Sequence, residues 1–352
     1  MPGGPTPDAQ RGRATLADVA EAARVSRATV SKALNGRGDI SSQTRDRVLA
    51  VAADLGYRST TAPVPASPRR AVAVVFDVPA SPYILGVLEG VLTSTTDNGL
   101  DLLTRLAPER ATRTDRAVAR EWIADQQQAG VIGVIGLTLA EPDGLIDAAH
   151  NAGMPLVIVD PVDTRQRRMV SVGSSNWAGA RAATEHLIEL GHRRIAWVGG
   201  PAGSDAARDR LYGYHAALSA AGLEADPDLV RSGPFDVTTG TVAGRALLSR
   251  TSPPTAIMAA DDEIAIGVLL AARERDVRVP EQLSVTGFDD TPQAERTAPP
   301  LTSVHQHLDG MGAMAVQTIL TIVDGTHLSS RRIELATSLT VRESTAAAPS
   351  GP

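Results

Sequence analysis

Thr15–Arg58 reads TLADVAEAARVSRATVSKALNGRGDISSQTRDRVLAVAADLGYR, and the spacing of its apolar residues predicts three short helices in quick succession. Thr15 can cap a helix over Leu16–Ala23, with Asp18 in its first turn favouring the positive end and Leu16, Val19, Ala20 and Ala23 on one stripe. Arg24-Val25-Ser26 makes a short turn, after which Ser26 caps a second helix from Arg27 to about Leu34. Val30, Ala33 and Leu34 face inward on it; Arg27, Ala28, Ser31 and Lys32 face outward. Ser41 caps a third helix over Ser42–Leu55, with Val48, Ala52 and Leu55 toward the core and Gly56 as its stop. Two helices joined so tightly must cross steeply, and the third closes an all-α miniature core. An exposed second helix bearing Arg, Ser, Thr and Lys has the shape and chemistry to enter a DNA major groove.

Charge supports that reading. Residues 1–70 hold eleven Arg/Lys against six Asp/Glu, yet the whole chain of 352 residues carries a net charge of −6, so a basic head precedes an acidic body. Phosphate backbones attract such a head, and the acidic body disfavours nonspecific adhesion along its length. At 43% hydrophobic residues the chain can bury a large bilobed core. The absence of cysteine excludes disulfides and thiolate chemistry, and the seven histidines lack the spacing of a metal site. Neither a metal nor a cofactor is expected. No apolar run approaches the roughly 18 residues of a membrane helix, and the opening MPGGPTPDAQRGR has no hydrophobic stretch for a secretory signal. The expected location is the cytoplasm, without a membrane partner.

From Ala71 onward, short apolar strands alternate with helical stretches: AVAVVF, VLEGVLTSTTDNG and LDLLTRL, then VIGVIGL, LIDAAHNAG and PLVIVD. These are βαβ units, which predict a mainly parallel sheet covered on both faces. A second series follows, with WAGARAATEHLIELG, RRIAWVGG, RLYGYHAALSAAG, TAIMAA, EIAIGVLLAARERD and LSVTGFDD. Two such sheets leave a cleft at their strand carboxyl ends, where ligands bind in open α/β folds. Residues near Leu301–Leu308 are expected to cross back to the first lobe.

The Thr15–Arg58 stretch resembles, almost without a gap, the DNA-binding headpiece of the lactose-repressor (LacI/GalR) family. That resemblance implies that Arg27, Ala28 and Lys32 read base edges and that Ser26, Thr29, Ser31 and Asn35 touch phosphates. Thr15, opening the first helix, and Tyr57, bracing the end of the third, complete the DNA-facing set. Arg27 and Lys32 can donate to guanine O6 and N7, and Ala28 can rest on a thymine methyl. Along the body, GHRRIAWVGGP, ARDRLYGYHAAL, TAIMAADDEIAIGVL, VPEQLSVTGFDD and PPLTSVHQHLDGMG are similar to the family's effector domain, itself similar to periplasmic sugar-binding proteins. By position, Arg208 matches the effector-binding arginine, with Asp261 and Asp289 as further ligand contacts. Ser81, Pro82 and Tyr83 form the other wall; Phe235 lies where an aromatic closes the pocket; Trp177 lies on the loop opening the second lobe. Vicinal hydroxyls suit carboxylate and guanidinium partners, and sugar C–H faces pack on aromatic rings. SPYILGVLEG and SVGSSNWAG resemble actinobacterial regulators of plant-polysaccharide sugar uptake.

The resemblance therefore implies an all-α helix-turn-helix headpiece joined to an α/β bilobed, periplasmic-binding-protein-like effector domain. Its expected function is a repressor of carbohydrate uptake or catabolism that binds a pseudo-palindromic operator as a homodimer and is released by a sugar. Expected boundaries are a tail over 1–14, the headpiece over 15–58, a linker over 59–70, the bilobed domain over 71–345 and a tail over 346–352. The linker departs from the family pattern. Pro63, Pro65 and Pro68 oppose the hinge helix usual there and no leucine is present to wedge the minor groove, so a polyproline-like or plainly flexible tether is expected. Alternatives remain: a purine or other small metabolite as effector, activation in place of repression, or a free-standing sugar receptor. Catalysis is disfavoured, since the sole lysine, Lys32, lies in the headpiece and neither G-x-S-x-G nor G-x-G-x-x-G occurs.

Overall fold

The structure, a computed structural model, describes residues 15–34, 40–55, 57, 70–76, 81–106 and 116–349. The chain divides into two compact units, Met1–Pro68 and Arg69–Pro352. Asn35, Gly56, linker residues 59–69 and the expected tail over 1–14 lie outside the described residues.

The first unit holds helices α1 (Leu16–Ala22), α2 (Arg27–Leu34) and α3 (Ser42–Asp54). Thr15 closes a capping box with Asp18, each side chain bonding the other's backbone N–H, and these bonds hold the Asp18 carboxyl below its usual range. Ser26 Oγ accepts from Thr29 N at 3.1 Å and Ser41 Oγ from Thr44 N at 3.2 Å. Val19, Val30 and Val48 are fully buried at the centre, ringed by Ala20, Ala23, Ala33 and Ala52. Leu55, expected in this core, is 41% exposed. The helix has ended one residue earlier, and Tyr57, whose N–H donates to the Ala52 carbonyl at 2.9 Å, packs on the core instead.

The second unit has two lobes. Lobe one carries a sheet of β1 (Ala71–Phe76), β2 (Asp101–Leu106), β3 (Val131–Leu137), β4 (Leu156–Val159), β5 (Val170–Ser174) and β11 (Arg332–Leu335), ordered β11-β5-β4-β3-β1-β2, all parallel. Helices α4 (Pro82–Asp97), α5 (Arg116–Gln128), α6 (Asp143–Asn151) and α12 (Leu308–Val323) cover it. Along β1 the side chains of Ala71, Ala73 and Val75 enter one buried cluster and those of Val72 and Val74 another, so both faces are dry, which is why the strand reads as an unbroken apolar run. A Cβ on Gly90 of α4 would lie 1.8 Å from the Asp309 carbonyl oxygen, so glycine lets α4 and α12 approach backbone to backbone.

Lobe two repeats the plan with β6 (Ile195–Gly199), β7 (Val230–Ser232), β8 (Ala256–Ala259), β9 (Ser284–Asp289), β10 (Thr302–His305) and β12 (Ser338–Thr340), ordered β12-β10-β9-β8-β6-β7. Its edge strand β12 runs antiparallel to β10 while the other pairings are parallel, in keeping with the expected mainly parallel sheet. Helices α7 (Asn176–Glu189), α8 (Asp205–Ala220), α9 (Val237–Leu248), α10 (Asp262–Glu274) and α11 (Pro292–Arg296) complete it. Trp197, Tyr214 and Phe288 are the largest fully buried side chains of this lobe, and Tyr214 Oη donates to the Ile195 carbonyl at 2.9 Å.

Three segments pass between the lobes: Ser174 to Asn176, His305 to Leu308, and Leu335 to Ser338. The expected return near Leu301–Leu308 is the second of these. Residues 346–349 do not form the expected tail. Buried His192 faces Thr255, Ser284 and the Ala346 carbonyl, Ala346 N donates to Ser284 Oγ at 3.1 Å, and Ala348 N to the Leu190 carbonyl at 2.8 Å. An imidazole sealed in the core needs polar partners, and this stretch supplies one. Residues 350–352 lie outside the described residues. Among the described residues no helix is long and apolar enough to cross a membrane.

Candidate functional site

In each sheet the second strand lies outside the first and the third to fifth follow on the other side, so strand order reverses beside the first strand. Ligands in open α/β sheets bind at the strand carboxyl ends near this reversal. The backbone is distorted at those ends. Thr138 after β3, Asp160 after β4, and Asp289 and Asp290 at the end of β9 have φ of 49°, 50°, 102° and 56°, four of the six non-glycine residues with positive φ among the described residues. Such conformations cost on the order of 1 kcal/mol or more each and persist where the surroundings enforce them.

Arg210 of α8 is the centre of what those ends hold. Its side chain is 3% exposed. Nε donates to Asn176 Oδ1 at 2.7 Å and Nη1 to the Ala260 carbonyl at 2.6 Å, with Asp289 Oδ1 at 3.5 Å. The guanidinium lies 3.8 Å from the Phe288 ring centroid and 5.9 Å from that of Phe235. Gln306, on the second lobe crossing, donates to Asp289 Oδ1 at 2.5 Å. Asp261 caps α10, accepting from Ile264 N at 2.7 Å. Asp160 arrives from lobe one, beside Tyr83 and Asn176.

The electrostatics follow from one buried cation beside buried Asp261 and Asp289 and half-buried Asp160. Burial raises the Asp160 carboxyl, opposed by Arg210. Burial pushes Asp261 up to about 7, opposed by the Ile264 N–H and Arg210 and reinforced by Asp262 and Glu263. Asp289 is pushed well up by burial, with Arg210 opposing and Asp261 reinforcing. A single guanidinium cannot satisfy three carboxylates. Beyond the donors already named, a neutral molecule carrying several hydroxyls adds hydrogen bonds to these acids without adding charge.

The sequence-predicted residues divide on this geometry. Asp261 and Asp289 stand within the Arg210 field. Ser81 caps α4 through Ile84 N at 3.3 Å, Pro82 opens that helix, and the Tyr83 hydroxyl is buried with no hydrogen-bond partner of good geometry among the described residues. Burial first, then the charges of Asp160 and Asp289, raise that phenol well above its ordinary range. The Phe235 ring abuts Gly200 just after β6, where a Cβ would meet it at 2.2 Å. Trp177 is the second residue of α7, not part of a loop, and is 43% exposed under the Arg181 guanidinium at 5.4 Å. It shares the outer stripe with Arg181 and Glu185, whereas its neighbour Asn176 faces Arg210.

Arg208 is the clearest displacement. It is 43% exposed and ion-paired with Asp205, and the structure does not bring it to Asp261 or Asp289. Two residues on a helix are about 200° apart, so Arg210 and not Arg208 shares the buried stripe of Ala207, Gly213, Tyr214 and Ala217. Arg210, Asp160, Asn176 and Gln306 went unnamed in the sequence. The stripe was a signal for Arg210, and the aspartate closing PLVIVD, like that in TGFDD, was one for Asp160. Asn176 and Gln306 sit in polar crossings with no such pattern.

Asp205 instead joins the lobes. Its carboxylate accepts from Thr164 N at 2.9 Å and Thr164 Oγ1 at 2.6 Å, and its N–H donates to the Val162 carbonyl at 2.9 Å. Val162 and Thr164 belong to the β4–β5 loop of lobe one, Asp205 to the first turn of α8 in lobe two. The free space beside Asp160, Asn176 and Asp205 is about 60 Å³, so the lobes stand close together.

In the first unit Ser26, Arg27 and Ala28 are exposed at the amino end of α2, and Thr29, Ser31 and Lys32 are half-buried along it. Ser26 and Thr29 share an Oγ contact of 2.9 Å. Thr15 is exposed, and Tyr57 is half-buried against the headpiece core.

Two family profiles match: bacterial regulatory proteins of the lacI family over residues 15–59, and the periplasmic binding protein-like domain over residues 184–345. The HTH-type transcriptional regulator CelR of Thermobifida fusca is 34% identical over 349 residues, covering 95% of this chain and 99% of that one. A solved CelR–cellobiose complex matches with a TM-score of 0.70 over 94% of this chain and 100% of that one, at 34% identity. The lac repressor dimer bound to operator and an anti-inducer matches with a TM-score of 0.69 at 28% identity, over 96% of this chain and 100% of that one. These relatives are transcriptional regulators, and identity at this level over nearly the full length of both chains settles kinship: the chain belongs to the lacI family of bacterial regulatory proteins.

Proposed function

We propose that the protein is a carbohydrate-responsive transcriptional repressor, a homodimer that holds a pseudo-palindromic operator through α2 and releases it when a sugar occupies the cleft. The observation that carries this reading is Arg210 among Asp160, Asp261 and Asp289, a polyol-binding arrangement borne on the same chain as a helix-turn-helix. Arg27 and Lys32 read base edges, Ala28 contacts a thymine methyl, and Ser26, Thr29, Ser31, Asn35 and Thr15 meet the phosphates, with Tyr57 bracing the support. In the cleft the acids accept hydroxyl protons while the Phe235 ring packs on the C–H face of the sugar. The likeness to CelR, whose solved complex holds cellobiose, favours a plant-polysaccharide saccharide. Ligand reshapes the angle between the lobes and thereby the spacing of the two headpieces. A role on operator DNA is non-catalytic and places the protein in the cytoplasm.

The test is fluorescence anisotropy on an operator fragment selected from genomic DNA, with pentoses, hexoses, and cello- and xylo-oligosaccharides added in turn, alongside thermal-shift measurements. One saccharide should release the DNA and raise the melting temperature. If every saccharide leaves both unchanged while a nucleobase alters them, the effector is a purine-type metabolite and the sugar reading falls.

A further inference from the structure

The bilobed unit also holds a cavity apart from the cleft. A pocket of about 340 Å³ opens at the opposite end of lobe one, where β4, β5 and β11 begin and α6 and α12 finish. Its floor is apolar, formed by buried Ile146, Met154, Leu156 and Met169. Its rim carries two arginines, Arg168 preceding β5 and Arg331 preceding β11, with His150 and His327 beside them. Strands β5 and β11 are paired neighbours, with Ser171 N donating to the Arg331 carbonyl at 2.8 Å, so the two guanidiniums spring from adjacent strand ends.

The rim acids leave these charges available. Asp147 is shared between Arg116 at 3.4 Å and Arg168 at 3.5 Å, both long for ion pairs, and Arg331 has no acidic partner among the described residues. An apolar floor of this size beneath paired guanidiniums fits a ligand with a hydrophobic body and a doubly charged anionic head, since planar guanidinium forks match phosphate oxygens bidentately.

We propose that this pocket is a second ligand site, taking a small phosphate ester with an apolar body. It is separate from the cleft, because the strands that start at the pocket end at Asp160 and Ser174. The elements lining it are also those that cross between lobes: β5 leads to Asn176, α12 follows the His305–Leu308 crossing, and β11 leads to β12.

Isothermal titration of the full-length protein with phenyl phosphate tests this, with inorganic phosphate and phenol as half-ligands. Phenyl phosphate should bind saturably at sub-millimolar concentration, and each half-ligand at least tenfold more weakly. Arg168→Gln with Arg331→Gln should weaken phenyl phosphate binding at least tenfold with the melting temperature retained. Thr326→Trp, a change on the exposed rim, should block the mouth without touching the core. Absence of saturable heat, equal binding of phenol, or binding that survives both variants would overturn the proposal.

Discussion

Arg208 and Arg210 stand two positions apart, and the difference between them is the sharpest residue-level consequence of the fold. Arg208→Ala should leave the saccharide response of operator binding intact, whereas Arg210→Ala should abolish it, read as anisotropy with and without the inducing sugar. A response lost with Arg208 and kept without Arg210 would refute the assignment. Removing Arg210 also strands Asp160 and Asp289, and an uncompensated buried charge costs about 3–5 kcal/mol, so a lowered melting temperature is expected too. The acids make the domain pH-sensitive in a definite sense. Burial pushes Asp261 up to about 7 in the fold, above the ordinary carboxylate range, so the folded state holds its proton over that interval and its contribution to stability declines as pH climbs from about 4 to 7. Sugar hydroxyls donate to the ionised carboxylates and should reverse that penalty. Saccharide affinity should therefore rise between pH 5.5 and 8 with release of protons, measurable by titration calorimetry in buffers of different ionisation enthalpy, and Asp261→Asn should flatten the profile. Affinity that falls with rising pH would contradict this linkage.

At the scale of elements, what could be read from the sequence follows how dry each element is. Strands β1, β3, β4 and β8, buried on both faces, announce themselves as apolar runs, and α1–α3 are delimited by Thr15, Ser26 and Ser41 acting as caps. Strands β5, β7, β11 and β12 do not: VSVGS, VRS, RIEL and SLT are short and polar, held by pairing and not by their own patterning. The same limit hid half of the candidate site. Asp261 and Asp289 follow legible strands, but the lobe crossings that deliver Asn176 and Gln306 carry no period. The contact between the β4–β5 loop and α8 was equally invisible, as it joins Thr164 to Asp205 across 41 residues. That contact favours the closed arrangement of the lobes. Asp205→Ala removes the acceptor of two short hydrogen bonds, each charge-assisted bond being worth about 1.5–3 kcal/mol. It should weaken saccharide binding about tenfold while leaving DNA affinity in the absence of sugar unchanged. Unaltered saccharide affinity would mean that the contact does not select closure.

For the whole molecule, each lobe leaves apolar surface that its own fold does not cover. In lobe one Leu85 and Leu92, seven residues apart on α4, are 59% and 55% exposed, and Leu106 at the end of edge strand β2 is 74% exposed. In lobe two Val242 of α9 is 61% exposed and Leu270 of α10 is 42% exposed. Large side chains grouped in this way mark association surfaces, and a two-fold dimer would bury the same patches of both copies together. Such a dimer links two headpieces, so the second half-site is engaged at high effective concentration and operator affinity exceeds that of one headpiece by orders of magnitude. Leu85→Asp with Leu92→Asp places like charges on both sides of the two-fold while leaving the buried stripe of α4 untouched. Sedimentation should show monomers, and affinity for the full operator should fall at least tenfold, toward that for an isolated half-site, with the melting temperature little changed. A variant that remains dimeric would put the interface elsewhere. A monomeric variant that kept full operator affinity would mean that one headpiece suffices, and the proposed coupling of lobe angle to headpiece spacing would then have no lever on the DNA.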